Sequence, residues 1–328
     1  MVSYEVGKDM HMIRITTRIS IFGALALSLL MAFGQRGQVV NAAAPDCATE
    51  QDNYTVDAQA KDTTRFAVIG DFGSTGKSEQ AVAKLVGSWQ PNFIVTTGDN
   101  NYTLGLDATI DANIGQYYHS YIGAYDGTYG DGSQENRFFP SLGNHDWGYD
   151  SVDPYLKYFN LPGNERYYNV VQGAVEFFML DSDTREPDGT SSDSIQGKWL
   201  QTALADSTAT YKVVVFHHAA YSSAEHGSSQ WMQWPFSDWG ATLVLNGHDH
   251  VYERIIKDGF TYIVDGTGGQ SLYNFKEPIE GSQVRYNCNF GALLVDVTDK
   301  AMSLRFINIE DSLVDSYSID APASKATG

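Results

Sequence analysis

Cysteine is almost absent from this chain: Cys47 and Cys288 are the two in 328 residues. A ligand set built on thiolates, as copper(I) or an iron–sulfur cluster wants, therefore does not suit this sequence. Positive charge is scarce as well. Lysine and arginine number 21 against 40 acidic residues, for a formal net charge of −19, which argues against nonspecific binding to nucleic acid or to anionic membranes. No internal repeat and no low-complexity linker interrupts the sequence. The longest apolar stretch, residues 19–33, falls short of the roughly 18 residues a spanning helix needs. What is present is globular in kind: 42% hydrophobic and 13% aromatic residues.

The short apolar stretch has its own reading. Lys8, Arg14 and Arg18 precede it, and Asn41-Ala42-Ala43-Ala44 follows a polar spacer. This is the layout of a secretory signal with a small-residue cleavage site, so residues 1–44 are read as a signal peptide and 45–328 as the mature chain. A retained membrane anchor is the alternative. Export to a secreted or periplasmic location makes a Cys47–Cys288 disulfide compatible with the compartment, and two separate thiols are equally compatible.

Along the mature chain, apolar runs end repeatedly in polar turns. Residues 65–69 form a buried strand leading into Gly70-Asp71-Phe72-Gly73. A helical spacing over 78–89 follows, then a second strand at 92–97 ending in Gly98-Asp99-Asn100-Asn101-Tyr102. The opening is thus β-α-β with a carboxylate at the C-terminal end of each strand, where open α/β sheets place ligands. Residues 107–121 and 152–159 read as helical, 126–136 as a glycine-rich acidic surface loop without an EF-hand pattern. Residues 138–142 form a short strand entering Gly143-Asn144-His145-Asp146. A hairpin is expected at 167–171 and 174–180, a mobile polar loop at 181–193, and an amphipathic helix at 195–204. Residues 212–216 form a strand ending in His217-His218, followed by Ala224-Glu225-His226-Gly227. The buried strand 243–245 runs through Asn246 and Gly247 into His248-Asp249-His250, whose two histidines share one side of an extended chain. Beyond them, strands at 252–256, 260–264, 291–297, 302–307 and 313–319 lack long helices between them, predicting antiparallel pairing. The fold class is mixed α/β (α+β): one domain of two mixed β-sheets flanked by helices.

Asp71, Asp99, Tyr102, Asn144, His145, His217, His226, His248 and His250 therefore gather at or near strand ends. Oxygen and imidazole donors suit iron, zinc or manganese, and more of them are present than one ion needs. Bound cations would also reverse the local sign for an anionic substrate in so acidic a chain.

The ordered set Gly-Asp, Gly-Asp-x-x-Tyr, Gly-Asn-His-Asp, Val-x-x-His and Gly-His-x-His resembles the calcineurin-like metallophosphoesterases. Tyr102 narrows the resemblance to the purple acid phosphatases, and Ala224-Glu225-His226-Gly227 with the short length to their small tartrate-resistant branch. The resemblance spans about residues 65–310. It implies a metallophosphoesterase-type sandwich and a secreted or periplasmic acid phosphatase that hydrolyses small phosphate monoesters. It implies Fe(III) held by Asp71, Tyr102, His250 and a bridging Asp99. A second divalent ion (Fe, Zn or Mn) would take Asp99, Asn144, His217 and His248. His145 and His226 would act beside the metals without ligating them, holding phosphate, with His226 protonating the leaving oxygen. A metal-activated water would attack phosphorus, since no serine or cysteine nucleophile motif is present. The phenolate of Tyr102 would give the iron a visible colour.

Some alternatives stay open at this level. The scaffold also suits a phosphodiesterase or nucleotide pyrophosphatase, or a catalytically weak metal-binding protein. His217-His218-Ala219 departs from the single histidine before proline usual in that branch; spacing to His226 favours His217 as the ligand over His218. Trp231, Trp234 and Trp239 read as core or as a wall for an aromatic leaving group. With no arginine inside the motifs, substrate specificity is expected to be broad.

Overall fold

Phe66, Ala67, Val68 and Ile69 are completely buried, as a strand covered on both faces must be. In the computed structural model, which describes residues 53–322, they form β1 (Thr64–Ile69). β1 lies parallel to β2 (Phe93–Thr96), and β2 parallel to β3 (Phe138–Pro140). The helix Lys77–Ser88 makes the β1–β2 crossover and buries Val82, Leu85 and Val86. On its other edge β1 pairs antiparallel with β11 (Gly291–Val297), and β12 (Ala301–Asn308) and β13 (Leu313–Asp320) continue the sheet as a meander. The order is β13-β12-β11-β1-β2-β3, so the first and last thirds of the described chain share one sheet.

The second sheet has seven strands, in the order β10-β8-β9-β7-β6-β5-β4. β4 (Tyr168–Gln172) and β5 (Val175–Met179) form the hairpin expected from the sequence. β5, β6 (Tyr211–His218), β7 (Leu243–Gly247) and β9 (Phe260–Asp265) run parallel. β8 (Tyr252–Lys257) pairs antiparallel with β9 and with β10 (Ser282–Tyr286). Helix Ile195–Asp206, capped where Ser194 Oγ accepts from the Gly197 amide, connects β5 to β6.

The two sheets meet across a shared core in which the Phe66 ring sits edge-on to Phe177 at 5.1 Å. A second cluster, with Leu200, Leu204, Val214 and Phe216 completely buried, lies under the Ile195–Asp206 helix. Each such side chain contributes roughly 1.5–3 kcal/mol on burial. The expected fold class, two mixed sheets flanked by helices, is the one observed, and the helices are few.

Three details differ from the sequence reading. β10 has no apolar run and was not anticipated; its polar residues satisfy β8 along one edge, with Ser282 Oγ donating to the buried Glu253. β6 continues past Phe216 through both histidines. The 181–193 loop, without an apolar pattern, is tied down by polar bonds. Asp181 accepts from Trp147 Nε1 (2.8 Å), Gln196 bonds both the amide and the carbonyl of Asp181, and Arg166 bridges Glu186 and Asp188. Cys288 is disulfide-bonded; Cys47 and the expected signal segment 1–44 lie outside the described residues.

Candidate metal centre

β1, β2, β3, β6 and β7 all point their C-terminal ends to one place. Asp71 and Asp99 stand there with the left-handed φ values 55° and 53°, and His248 with 72°. Such conformations cost of order 1–3 kcal/mol each for residues with a side chain and persist where the surroundings enforce them. Here side chain-to-backbone bonds do so: the His248 amide donates to Asp71 Oδ2 (2.9 Å) and the His145 amide to Asp99 Oδ1 (2.8 Å). The glycines of the motifs leave the room. A Cβ on Gly98 (φ 95°) would lie 2.8 Å from the His217 ring, and one on Gly143 would collide with Asp99 Oδ1.

Asp99 sits between two groups of donors. Its Oδ2 accepts from Tyr102 Oη at 2.8 Å and is 3.3 Å from His217 Nε2. On one side, Tyr102 Oη also reaches Asp71 Oδ1 (3.1 Å) and His250 Nε2 (3.2 Å), with His250 Nε2 3.4 Å from Asp71 Oδ1. On the other, His217 Nε2 is 3.0 Å from Asn144 Oδ1 and 3.2 Å from His248 Nδ1. Ligand atoms of Asp71, Asp99 and His217 all lie within 4.8 Å of one another.

The imidazoles are aimed from behind. His217 Nδ1 lies 2.9 Å from the Thr97 carbonyl, His250 Nδ1 2.8 Å from Ser271, and His145 Nδ1 2.7 Å from Thr103. A carbonyl only accepts, so each Nδ1 carries a proton and each Nε2 is the nitrogen left facing the site.

Asp71 and Asp99 are 0% and 1% exposed, and their ion-pair partners are histidines rather than lysine or arginine. Two buried carboxylates facing imidazole nitrogens and a phenol are suited to a cation. Hard oxygens with borderline nitrogens, and no sulfur, fit iron, zinc or manganese. Burial opposes charge on His217, but Asp99 and Asp71 outweigh it and push its pKa up to about 10. Burial raises Asp99, yet His217 and His145 hold it below the usual carboxylate range. Burial, then Asp99 and Asp71, keep the Tyr102 phenol well above its ordinary value, so it ionises only against a strong cation.

His145 and His226 stand at the rim. The His145 side chain is 32% exposed, its ring 4.3 Å from that of Tyr102 and its Nε2 3.9 Å from Asp99 Oδ2. The exposed His226 ring stacks on His248 at 4.2 Å. All nine residues singled out from the motifs therefore converge. His218 takes a different place: its Nδ1 bonds Ser182 Oγ (2.9 Å), and burial, then the neighbouring His217, depress it to about 3.

Sequence reasoning overlooked the residues that hold the rim. Asp146 is buried and accepts from the Asn100 and Gly143 amides. Asp249, fully buried, accepts from the His226 amide (2.8 Å), the Gly227 amide and Ser222 Oγ. The signal was available: Asp249 lies between two histidines that face the site, so alternation aims it the opposite way. Tyr273, stacked on His250 at 4.0 Å, and Arg185, donating to the Asn144 carbonyl, had no such signal.

Comparison with known proteins places the chain among relatives. Residues 64–252 match the family model described as calcineurin-like phosphoesterase. Purple acid phosphatase 17 of Arabidopsis thaliana is 26% identical over 262 residues, covering 70% of this chain and 75% of its own. Tartrate-resistant acid phosphatase type 5 of Oryctolagus cuniculus is 24% identical over 306 residues, covering 76% and 88%. Among solved structures, a purple acid phosphatase from yellow lupin (Lupinus luteus) seeds superposes with a TM-score of 0.64 at 16% identity, covering 81% of this chain and 57% of its own. GAP50, described as the anchor in the inner membrane complex of Plasmodium, reaches the same score at 18% identity, covering 81% and 91%.

Proposed function

The chain belongs to the calcineurin-like phosphoesterases, a family of hydrolases, and from that premise we propose that it is an exported acid phosphatase acting on small phosphate monoesters at a two-metal centre. The observation that carries the reading is the position of Asp99, whose one carboxylate faces the Tyr102 side and the His217 side together. Asp71, Tyr102, His250 and Asp99 would hold a ferric ion. Asp99, Asn144, His217 and His248 would hold iron(II), zinc or manganese. When bound, such a pair activates water as the nucleophile and neutralises the phosphoryl oxygens.

The chain's own residues do the remainder. Thr97, Ser271 and Thr103 fix the imidazole tautomers through their carbonyls. His145 and His226, exposed at the rim, are placed to donate hydrogen bonds to phosphate, and His226 serves as the general acid toward the leaving oxygen. In this reading residues 45–328 are the catalytic portion and 1–44 direct export. Among the described residues no helix is long and apolar enough to cross a membrane.

The test is hydrolysis of p-nitrophenyl phosphate beside bis-p-nitrophenyl phosphate by the metal-loaded chain at acid pH. A clear preference for the monoester supports the proposal. Preference for the diester would make the chain a phosphodiesterase on the same scaffold, and metal uptake without hydrolysis of either would leave a metal-binding protein.

A further inference from the structure

Seven large hydrophobic side chains are exposed among the described residues: Leu104, Leu106, Tyr129, Tyr149, Val171, Ile195 and Trp231. Scattered exposed apolar groups need no explanation. These are not scattered evenly. Leu104 and Leu106 follow Tyr102, Tyr149 lies five residues past Asn144, and Trp231 lies five past His226. Four of the seven thus sit on loops that carry residues of the site.

Trp231 is the best placed of these. Its ring lies 5.5 Å from that of His218, which lies 4.5 Å from that of His248. Two ring-to-ring steps therefore separate it from the metal site. It is 42% exposed, in contrast to its neighbour Trp234 at 4%. It is also held still. Its Nε1 donates to the Ser182 carbonyl, its own carbonyl accepts from Trp234 Nε1, and the adjoining Met232 is completely buried. A fixed, half-open indole is a preorganised stacking surface, because little side-chain freedom remains to be lost when a ring docks on it.

We propose that Trp231 forms the wall that receives the organic part of the substrate and biases this site toward aryl phosphate monoesters over hydroxylated alkyl ones. The inference rests on the phosphatase reading for the place of the phosphoryl group. Breadth follows from a phosphoryl site without a dedicated arginine; the nearby Arg185 guanidinium is engaged by Asp183 and by the Trp147 and Asn144 carbonyls. Trp231 adds a preference on top of that breadth.

Non-hydrolysable ligands separate stacking from leaving-group chemistry. Calorimetric dissociation constants for phenylphosphonate and methylphosphonate are measured on the metal-loaded full chain, on Trp231→Ala and on Trp231→Phe. The wild type should bind the phenyl compound about fivefold tighter, the size of one aromatic contact. Trp231→Ala should bring that ratio below about twofold, and Trp231→Phe should keep most of it. Equal binding of the two ligands by the wild type overturns the proposal, as does a ratio that survives in Trp231→Ala. Because binding is read without turnover, failure of the phosphatase reading itself shows separately, as absent hydrolysis of p-nitrophenyl phosphate.

Discussion

The floor and the rim of this site are built differently. Floor residues Asp71, Asp99, His217 and His250 are all buried, sit at strand ends, and are fixed by bonds to neighbouring backbone. Rim residues His145 and His226 are partly or fully open to solvent and ride on loops. Each rim loop hangs from one buried aspartate that immediately follows a floor or rim histidine, Asp146 or Asp249. The floor gathers buried carboxylates and ring nitrogens away from solvent. The rim presents its imidazoles to solvent. Metal retention should therefore depend on the floor and turnover on both, and substitutions can separate the two.

Asp99→Asn gives the largest expected effect. It removes the charge shared by both donor groups, so bound metal measured by atomic emission should fall by about one ion or more and kcat/KM by about a thousandfold. Retention of two metals would break the distinction between floor and rim. His226→Ala should lower kcat about a hundredfold, the usual contribution of a general acid, with metal content unchanged. Asp249→Asn loosens the cradle of His226 without touching the donors on either side. About a tenfold fall in kcat is expected there, with little change in bound metal.

Much of the fold was readable because buried strands are simple signals: short β-branched runs closed by glycine turns. The places of the site side chains were legible for a related reason. Asp71 and His248 each come straight after a glycine that closes a buried strand, and close packing requires such glycines, as with Gly98 against His217. What escaped was polar structure without periodicity. The loop after β5 looked free because its anchors, Asp181, Gln196 and Arg166, carry no apolar pattern, and polar anchors are recognised only once their partners are in view. β10 escaped for the same reason. The three nearby tryptophans could not be sorted by spacing: Trp234 entered the core and Trp231 stayed half open.

Glu79 gives the smallest expected effect and sharpens the contrast from beneath the floor. It is fully buried, accepts from the Ser74 and Thr75 amides just past Asp71, and leaves Oε1 unpartnered. Burial raises its pKa to about 8 against those two amide bonds. The folded state therefore holds a proton that the unfolded state releases, and stability falls as pH rises from about 4.5 toward 8. Glu79→Gln should raise Tm by several degrees at the alkaline end of that window, about 2 kcal/mol, and change it little at the acid end. Thermal melts at both ends check this. A gain that is equal at both would show that the carboxyl is not the source.

The most direct measurement is the metal content and visible spectrum of the purified chain beside Tyr102→Phe. Two metals per chain, one of them iron, with a visible tyrosinate band that disappears in Tyr102→Phe, is the predicted result. A chain that takes up a single ion, or whose colour survives the loss of the Tyr102 hydroxyl, would contradict a two-metal centre arranged around Asp99.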